Sequence, residues 1–215
     1  MKTIKTKGID YIEPLDGTIE WYWGMNFTHG DLYEAEEIFR QGSFTKKHKL
    51  LFIHYPDGRV IQPVVAKEGQ YFGKPIYYNN HIVILIADFQ AGEINILELD
   101  DLLQQTSILA TLSLSNIKDC YNLMLKTSPL MLTRQSSNKE FQILWPEKTE
   151  FNIDNRESFC CRDKDKLYFS MWYEEPDYYE EIVIRKIDTG EILDRIPGSL
   201  MIMPDGQKWI LKSHL

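Results

Sequence analysis

The residues best suited to chemistry fall in two dense stretches. The first is WYWGMNFTHGDLYEAEE, which packs Trp21, Tyr22, Trp23, Phe27, His29, Asp31, Tyr33, Glu34, Glu36 and Glu37 into 17 positions. Flat indole faces beside carboxylates are what a sugar or an organic cation would use, through ring stacking and through hydrogen bonds or charge. If residues 21–25 form a strand, alternation places Trp21 and Trp23 on one face. The loop Thr28-His29-Gly30 then turns the chain into an acidic segment. The candidate ligand set is Trp21, Trp23, His29, Asp31, Tyr33, Glu34 and Glu37. The competing reading has the tryptophans filling a core and the glutamates solvating a helix face.

The second stretch is WYEEPDYYEE, residues 172–181. Tyrosine and tryptophan are favoured at protein interfaces, where an amphipathic ring meets both apolar and polar neighbours. Trp172, Tyr173, Glu174, Glu175, Tyr178 and Tyr179 are therefore the candidate partner-binding set, against the alternative of a solvated hairpin tip. A glycosidase pair would need two carboxyls at about 5 Å or about 6.5–9.5 Å. Nothing in the sequence singles out two of the 32 acidic residues for that role.

Sharp catalytic motifs are absent: there is no Gly-rich phosphate loop, no Gly-x-Ser-x-Gly elbow, no His-Glu-x-x-His and no Cys-x-x-Cys. His29, His48, His54, His81 and His214 lie far apart, and none stands at metal-ligand spacing from another. No catalytic residue, metal site or cofactor is expected. His81 reads as an edge or turn residue, and Cys120, in an apolar context, as a small hydrophobe. Cys160 and Cys161 are adjacent, so on a strand they point to opposite faces, one buried and one exposed.

Charge narrows the partners. The formal net charge is −8, which argues against a surface built to bind nucleic acid or an anionic membrane. The one dense basic cluster, Lys46-Lys47-His48-Lys49, reads as a solvated loop before a strand. The N-terminus lacks the apolar core of a secretory signal. The longest aliphatic run, Ile82–Ala87, is far short of the roughly 20 residues that span a bilayer. An odd number of cysteines does not make a disulfide framework, and the expectation is a reducing, cytoplasmic compartment.

The elements that must hold these residues are mostly strands. Aromatic residues make up 13% of the chain, a bias that suits a pleated, half-buried surface. KLYFSMWY alternates, with Leu167, Phe169, Met171 and Tyr173 on one face; EFQILW puts Phe141, Ile143 and Trp145 together. EINILEL and EIVIRKI follow the same rule, and HIVILIA, apolar throughout, reads as a central strand covered on both faces. Short punctuators at 89–92, 136–139, 174–177 and 188–190 favour antiparallel hairpins. Two stretches read as helical: Asp31–Gly42, with Asp31 as N-cap and Leu32, Ala35, Ile38 and Phe39 as its buried stripe, and Leu99–Gln105.

The middle strands of three hairpin groups, marked by Ile96, Ile143 and Ile184, lie 47 and then 41 residues apart. Pro-Asp-Gly also occurs twice between apolar half-strands, at 56–58 and 204–206. Proline presets φ, aspartate tolerates the bend and glycine supplies positive φ, so this tripeptide is a turn with a mechanism. The spacing and MPDGQKWIL resemble the inner hairpins of β-propeller repeats of the WD40-like and TolB-like kind. That resemblance implies one all-β domain over 1–215, a small propeller of four or five blades with one short helix. In it, Thr18–Phe27 would supply the outer strands of the blade that the C-terminal hairpin begins, closing the ring. The alternative is an antiparallel sandwich or meander. The expected function is a non-enzymatic binding module with a protein partner. The runner-up is a carbohydrate-binding or glycan-cleaving protein using Trp21–Glu37, and a third reading is an immunity-type protein that neutralises a basic partner.

Overall fold

A computed structural model of the chain describes residues 1–42, 48–100, 105–203 and 206–212. It is all-β, built from antiparallel, mostly four-stranded sheets in which successive strands pair with their neighbours, the kind of unit used by small propellers and by sandwiches. No described helix is long and apolar enough to cross a membrane. Two compact units make up the chain, Met1–Leu125 and Lys126–Leu215.

In the first unit, β1 (Glu13–Pro14), β2 (Trp21–Met25), β3 (Leu50–His54) and β4 (Val60–Ile61) form one sheet in sequence order. A second sheet holds β5 (Gln70–Phe72), β6 (Ile76–Tyr78), β7 (His81–Asp88), β8 (Glu93–Asp100) and β9 (Gln105–Ser113). β5 and β6 share one edge of β7, facing Ile86–Asp88 and His81–Val83 respectively, while β8 takes the other edge. With neighbours on both edges, β7 is buried from Ile82 to Ala87, as its unbroken apolar run implies.

The helix α1 (Leu32–Arg40) forms where expected. The Asp31 carboxylate caps it, accepting from the amides of Tyr33 and Glu34. Leu32 and Ala35 are buried, and Ile38 and Phe39 are half-buried. The second expected helix does not form at its described ends: Leu99 and Asp100 close β8 and Gln105 opens β9, while residues 101–104 lie outside the described residues.

The second unit opens within β10 (Met124–Thr127), a strand that straddles the division. β10 is followed by β11 (Leu130–Gln135), β12 (Glu140–Trp145) and β13 (Thr149–Asn152) in one sheet. β14 (Glu157–Asp163), β15 (Lys166–Tyr173), β16 (Tyr179–Lys186) and β17 (Ile192–Pro197) make the next. β18 (Ser199–Ile202) and β19 (Lys208–Leu211) form a two-stranded sheet. Phe141 sits in the middle of the core, with the rings of Phe159, Phe169 and Phe151 centred 4.9, 5.1 and 5.4 Å away. The alternation in β15 holds: Leu167, Phe169 and Met171 are buried and Trp172 is exposed.

Two arginines are buried with compensating partners, as isolated charges cannot be. Arg134 donates to Glu140 and Gln142, each at 3.0 Å. Arg185 forks onto the buried Glu157 carboxylate at 2.8 and 2.6 Å and donates to the Gly190 carbonyl at 2.6 Å.

Both glycines of the repeated tripeptide have positive φ, +75° at Gly58 and +85° at Gly206, as the turn argument requires. The turns themselves differ. Gly58 N–H donates to His54 C=O, four residues back, whereas Gly206 N–H donates to Met203 C=O, three residues back. Pro204 and Asp205 lie outside the described residues. The strand at Trp21–Met25, expected beside the C-terminal hairpin, has both its edges taken by β1 and β3. β18 and β19 pair with each other.

Candidate functional site

The first stretch separates into a core part and a surface part. Trp21 and Trp23 are buried in the core that also holds Leu50, Phe52 and Ile84, so the expected indole platform is absent. The physical reason is that β2 has a strand on either side and turns its tryptophan face inward. The Trp21 ring lies 4.8 Å from that of His54, with the Arg59 guanidinium 5.4 Å from its centroid. His29, at φ +44°, meets the Tyr11 ring edge-on at 5.6 Å.

Asp31 and Tyr33, by contrast, line a half-open pocket of about 300 Å³ within the first unit. Its walls are the start of α1, Lys74, and the segment Cys120–Met124. Gly30, at φ +83°, lets the helix start lie against Lys74: a Cβ there would sit 2.7 Å from the Lys74 amide nitrogen. The Glu36 carboxylate ties α1 to the opposite wall, accepting from the Cys120 amide at 2.9 Å and from Arg40 at 2.5 Å. The Tyr33 and Tyr121 rings meet edge-on at 5.4 Å. The carboxylate of Glu37 beside the Tyr33 hydroxyl raises the phenol pKa above its usual value, and partial burial adds to the effect. Glu34 and Glu37 are exposed on the helix surface. Lys74, Tyr121 and Asn122 had no signal in the sequence; in the fold Asn122 adopts the left-handed φ (+46°) that asparagine tolerates.

The second stretch comes together at one end of the β15–β16 hairpin. Tyr173 and Tyr179 are directly opposed in register, and their rings stack at 4.3 Å with 8° between planes. The Arg156 guanidinium lies 4.6 Å from the Tyr173 ring centroid. Arg156 is itself held by a forked pair to Asp154 at 3.0 and 3.2 Å, which pulls the Asp154 carboxyl down to about 2. The Tyr173 hydroxyl donates to Glu181 at 2.7 Å, and Arg195 pairs with the same carboxylate. The Tyr178 hydroxyl donates to Glu180 at 2.5 Å. Both phenols are pushed above their usual pKa by these carboxylate partners first, with desolvation second. Trp172, Tyr178 and Tyr179 remain 42%, 65% and 47% exposed, interleaved with exposed Glu174, Glu175 and Asp177. Arg156 and Arg195, which brace the pair, are remote in sequence and were not anticipated; Glu181 closes the stretch itself but was not among the candidates.

Other candidates are structural. His81 Nδ1–H donates to the Asn79 carbonyl at 2.7 Å, at a turn. Burial pushes the Cys161 thiol up to about 12 and raises Cys160 as well, the opposite of what a nucleophilic thiolate needs. Of the basic cluster, Lys46 and Lys47 lie outside the described residues; His48 is buried, which lowers its pKa. Among the described residues, no three His, Cys, Asp or Glu side chains are grouped to hold a metal.

No family model matches the sequence, and no curated protein matches it. Among solved structures, it is similar to an exo-β-1,3-galactanase from Phanerochaete chrysosporium bound to β-1,3-galactotriose, at 7% identity and a TM-score of 0.42. The match covers 90% of this chain and 52% of that one, so the chain spans about half the length of the enzyme. At this level of likeness nothing follows for the fold, chemistry or ligand of this chain.

Proposed function

We propose that the chain is a non-enzymatic binding module that engages a basic protein partner through the acidic, aromatic end of β15–β16. The observation that carries this reading is the exposure of Trp172, Tyr178 and Tyr179 among the three exposed carboxylates of Glu174, Glu175 and Asp177, on a base stiffened by the Tyr173–Tyr179 stack. Aromatic rings held in place give up little entropy on binding, and they supply the apolar contact that carries most interface energy. The carboxylates select a partner of positive charge and steer it, in keeping with the net charge of −8. The three free cysteines, two of them buried, fit a reducing cytoplasm. Replacing Trp172, Tyr178 and Tyr179 together by Ala tests the reading. Capture of partners by the purified chain should be lost while the melting temperature holds, because none of the three belongs to the core. Capture that survives the triple change rejects this surface.

The pocket of the first unit supports a second reading, a small polyhydroxyl ligand. Tyr33 and Tyr121 offer ring edges and hydroxyls, and Asp31, Lys74 and Asn122 offer hydrogen bonds from three sides. A glycan array on the purified chain, repeated with Tyr121→Ala, tests it: the reading requires binding that the substitution abolishes.

A further inference from the structure

We propose, on the reading of the β15–β16 end as a partner surface, that the outer face of the Tyr179 ring and the Glu181 carboxylate receive an arginine side chain of the basic partner, its guanidinium flat on the ring. Alternation puts Tyr173, Tyr179 and Glu181 on one face of the sheet and Trp172 and Glu180 on the other. The arginine site therefore belongs to the first of these faces.

The stack there has a defined order of layers. β14 and β16 flank β15 on opposite edges. Arg156, which leads into β14, and Tyr179, on β16, thus cover opposite faces of the Tyr173 ring, at 4.6 and 4.3 Å. Tyr179 is the outermost layer. Tyr173 covers its inner face, and 47% of the residue stays exposed, so the exposure falls on its outer face and edge. Carried beyond the Glu181–Pro197 pair, the β16–β17 register brings Ser199 opposite Tyr179, a side chain too short to roof a phenol ring. Among the described residues the Tyr179 hydroxyl has no hydrogen bond, and no other ring or cation lies over the Tyr179 ring.

Beside that face stands an unused carboxylate oxygen. The Tyr173 hydroxyl and Arg195 both donate to Oε1 of Glu181, and among the described residues nothing donates to Oε2. The Glu181 side chain is only 15% exposed. The one buried side-chain nitrogen or oxygen without a partner, among the described residues, is Trp21 Nε1. Oε2 of Glu181 is therefore reached by solvent, and a donor arriving from outside meets it. A charge pair at such a half-hidden oxygen is screened less by salt than one in open water.

The chain already holds one guanidinium in this manner. Arg156 lies over the Tyr173 ring and forks onto Asp154. Tyr179 and Glu181 present the same pair of groups, a ring face beside a carboxylate. A planar guanidinium stacks on the ring and donates in its own plane at once, whereas an ammonium is a strongly hydrated point charge. The surrounding charge also selects a cation. Glu174, Glu175, Asp177, Glu180 and Glu181 outnumber Arg195, because Arg156 is matched by Asp154.

The experiment uses the full chain and two fluorescein-labelled peptides of equal charge, Gly-Arg-Gly-Arg-Gly-Arg-Gly and its lysine counterpart, followed by fluorescence anisotropy at low salt. The arginine peptide should bind about two- to fivefold more tightly, the range of one exposed cation–ring contact. Tyr179→Leu should bring the two affinities together by weakening the arginine peptide alone, and Tyr179→Phe should keep the preference. If Tyr179→Leu melts well below the parent, pentafluorophenylalanine at position 179 replaces it: that ring keeps its shape, reverses the charge of its face, and should abolish the preference in the same way. Equal binding of the two peptides by the parent, or a preference that survives the loss of the Tyr179 face, overturns the proposal and leaves the partner surface standing. Binding of neither peptide overturns both. A dimer of the unmodified chain in sedimentation that Tyr179→Leu dissociates would make the arginine the chain's own, and overturns the assignment to a partner.

Discussion

Trp21 and Trp23 show how a residue's type can suggest one role while its setting imposes another. Alternation along WYWGM put both indoles on one face, and it was right; it carried no information on what covers that face. The cover comes from strands remote in sequence, among them Leu50–Phe52 and Ile82–Ile86. Trp23→Ala should therefore destabilise the first unit by about 3–5 kcal/mol, read as a lower denaturant midpoint. Asp154 is a second residue whose state is set by its neighbour. Arg156 depresses its pKa from 3.8 to about 2, so the ionised carboxylate favours the folded form. This contribution is complete above pH 4 and is lost as the pH falls towards 2. Asp154→Asn should remove that part of the acid sensitivity, so the melting curves of variant and parent should converge as the pH is lowered through this window.

Strands were legible wherever period-2 patterning was clean, as in β15 and β8, and where an apolar run was unbroken, as in β7. β14 was missed, because ESFCCRD offers only Phe159 and Cys161 as inward apolar residues, too short a series to read as alternation. Its Glu157 is inward too, and buried, which no hydropathy pattern announces. Arg185→Ala should leave that carboxylate buried and unpaired, at a cost of about 3–5 kcal/mol. Replacing both partners, Glu157→Leu with Arg185→Met, should recover most of the loss in the same unfolding measurement. The turn after β16 is also constrained: Gly190 has φ +70° and lies against Phe151, where a Cβ would come within 2.3 Å of the ring. Gly190→Ala should thus lower the melting temperature, although alanine is a better residue for most other backbone positions.

For the whole molecule, the fold class was readable from composition and punctuation, since short turn clusters between six- to eight-residue runs leave little room for crossover helices. The sites were readable only in part. The aromatic–acidic hairpin end was contiguous in sequence, and the structure keeps it contiguous. The pocket of the first unit unites Tyr33, Lys74 and Tyr121, residues whose proximity exists only once the strands have paired. Its presence near Asp31 could be guessed from the density of carboxylates, but its opposite wall could not. If a protein partner binds at the β15–β16 end, site-specific photocrosslinking will trap it there. A benzophenone amino acid would be placed at Tyr178, and at the exposed Lys148 as a control, in cells that make the chain. A partner at this surface gives a discrete crosslinked adduct from position 178 that is absent from position 148 and is lost when Trp172 and Tyr179 are changed to Ala. No adduct at 178, or the same adducts from both positions, would contradict it.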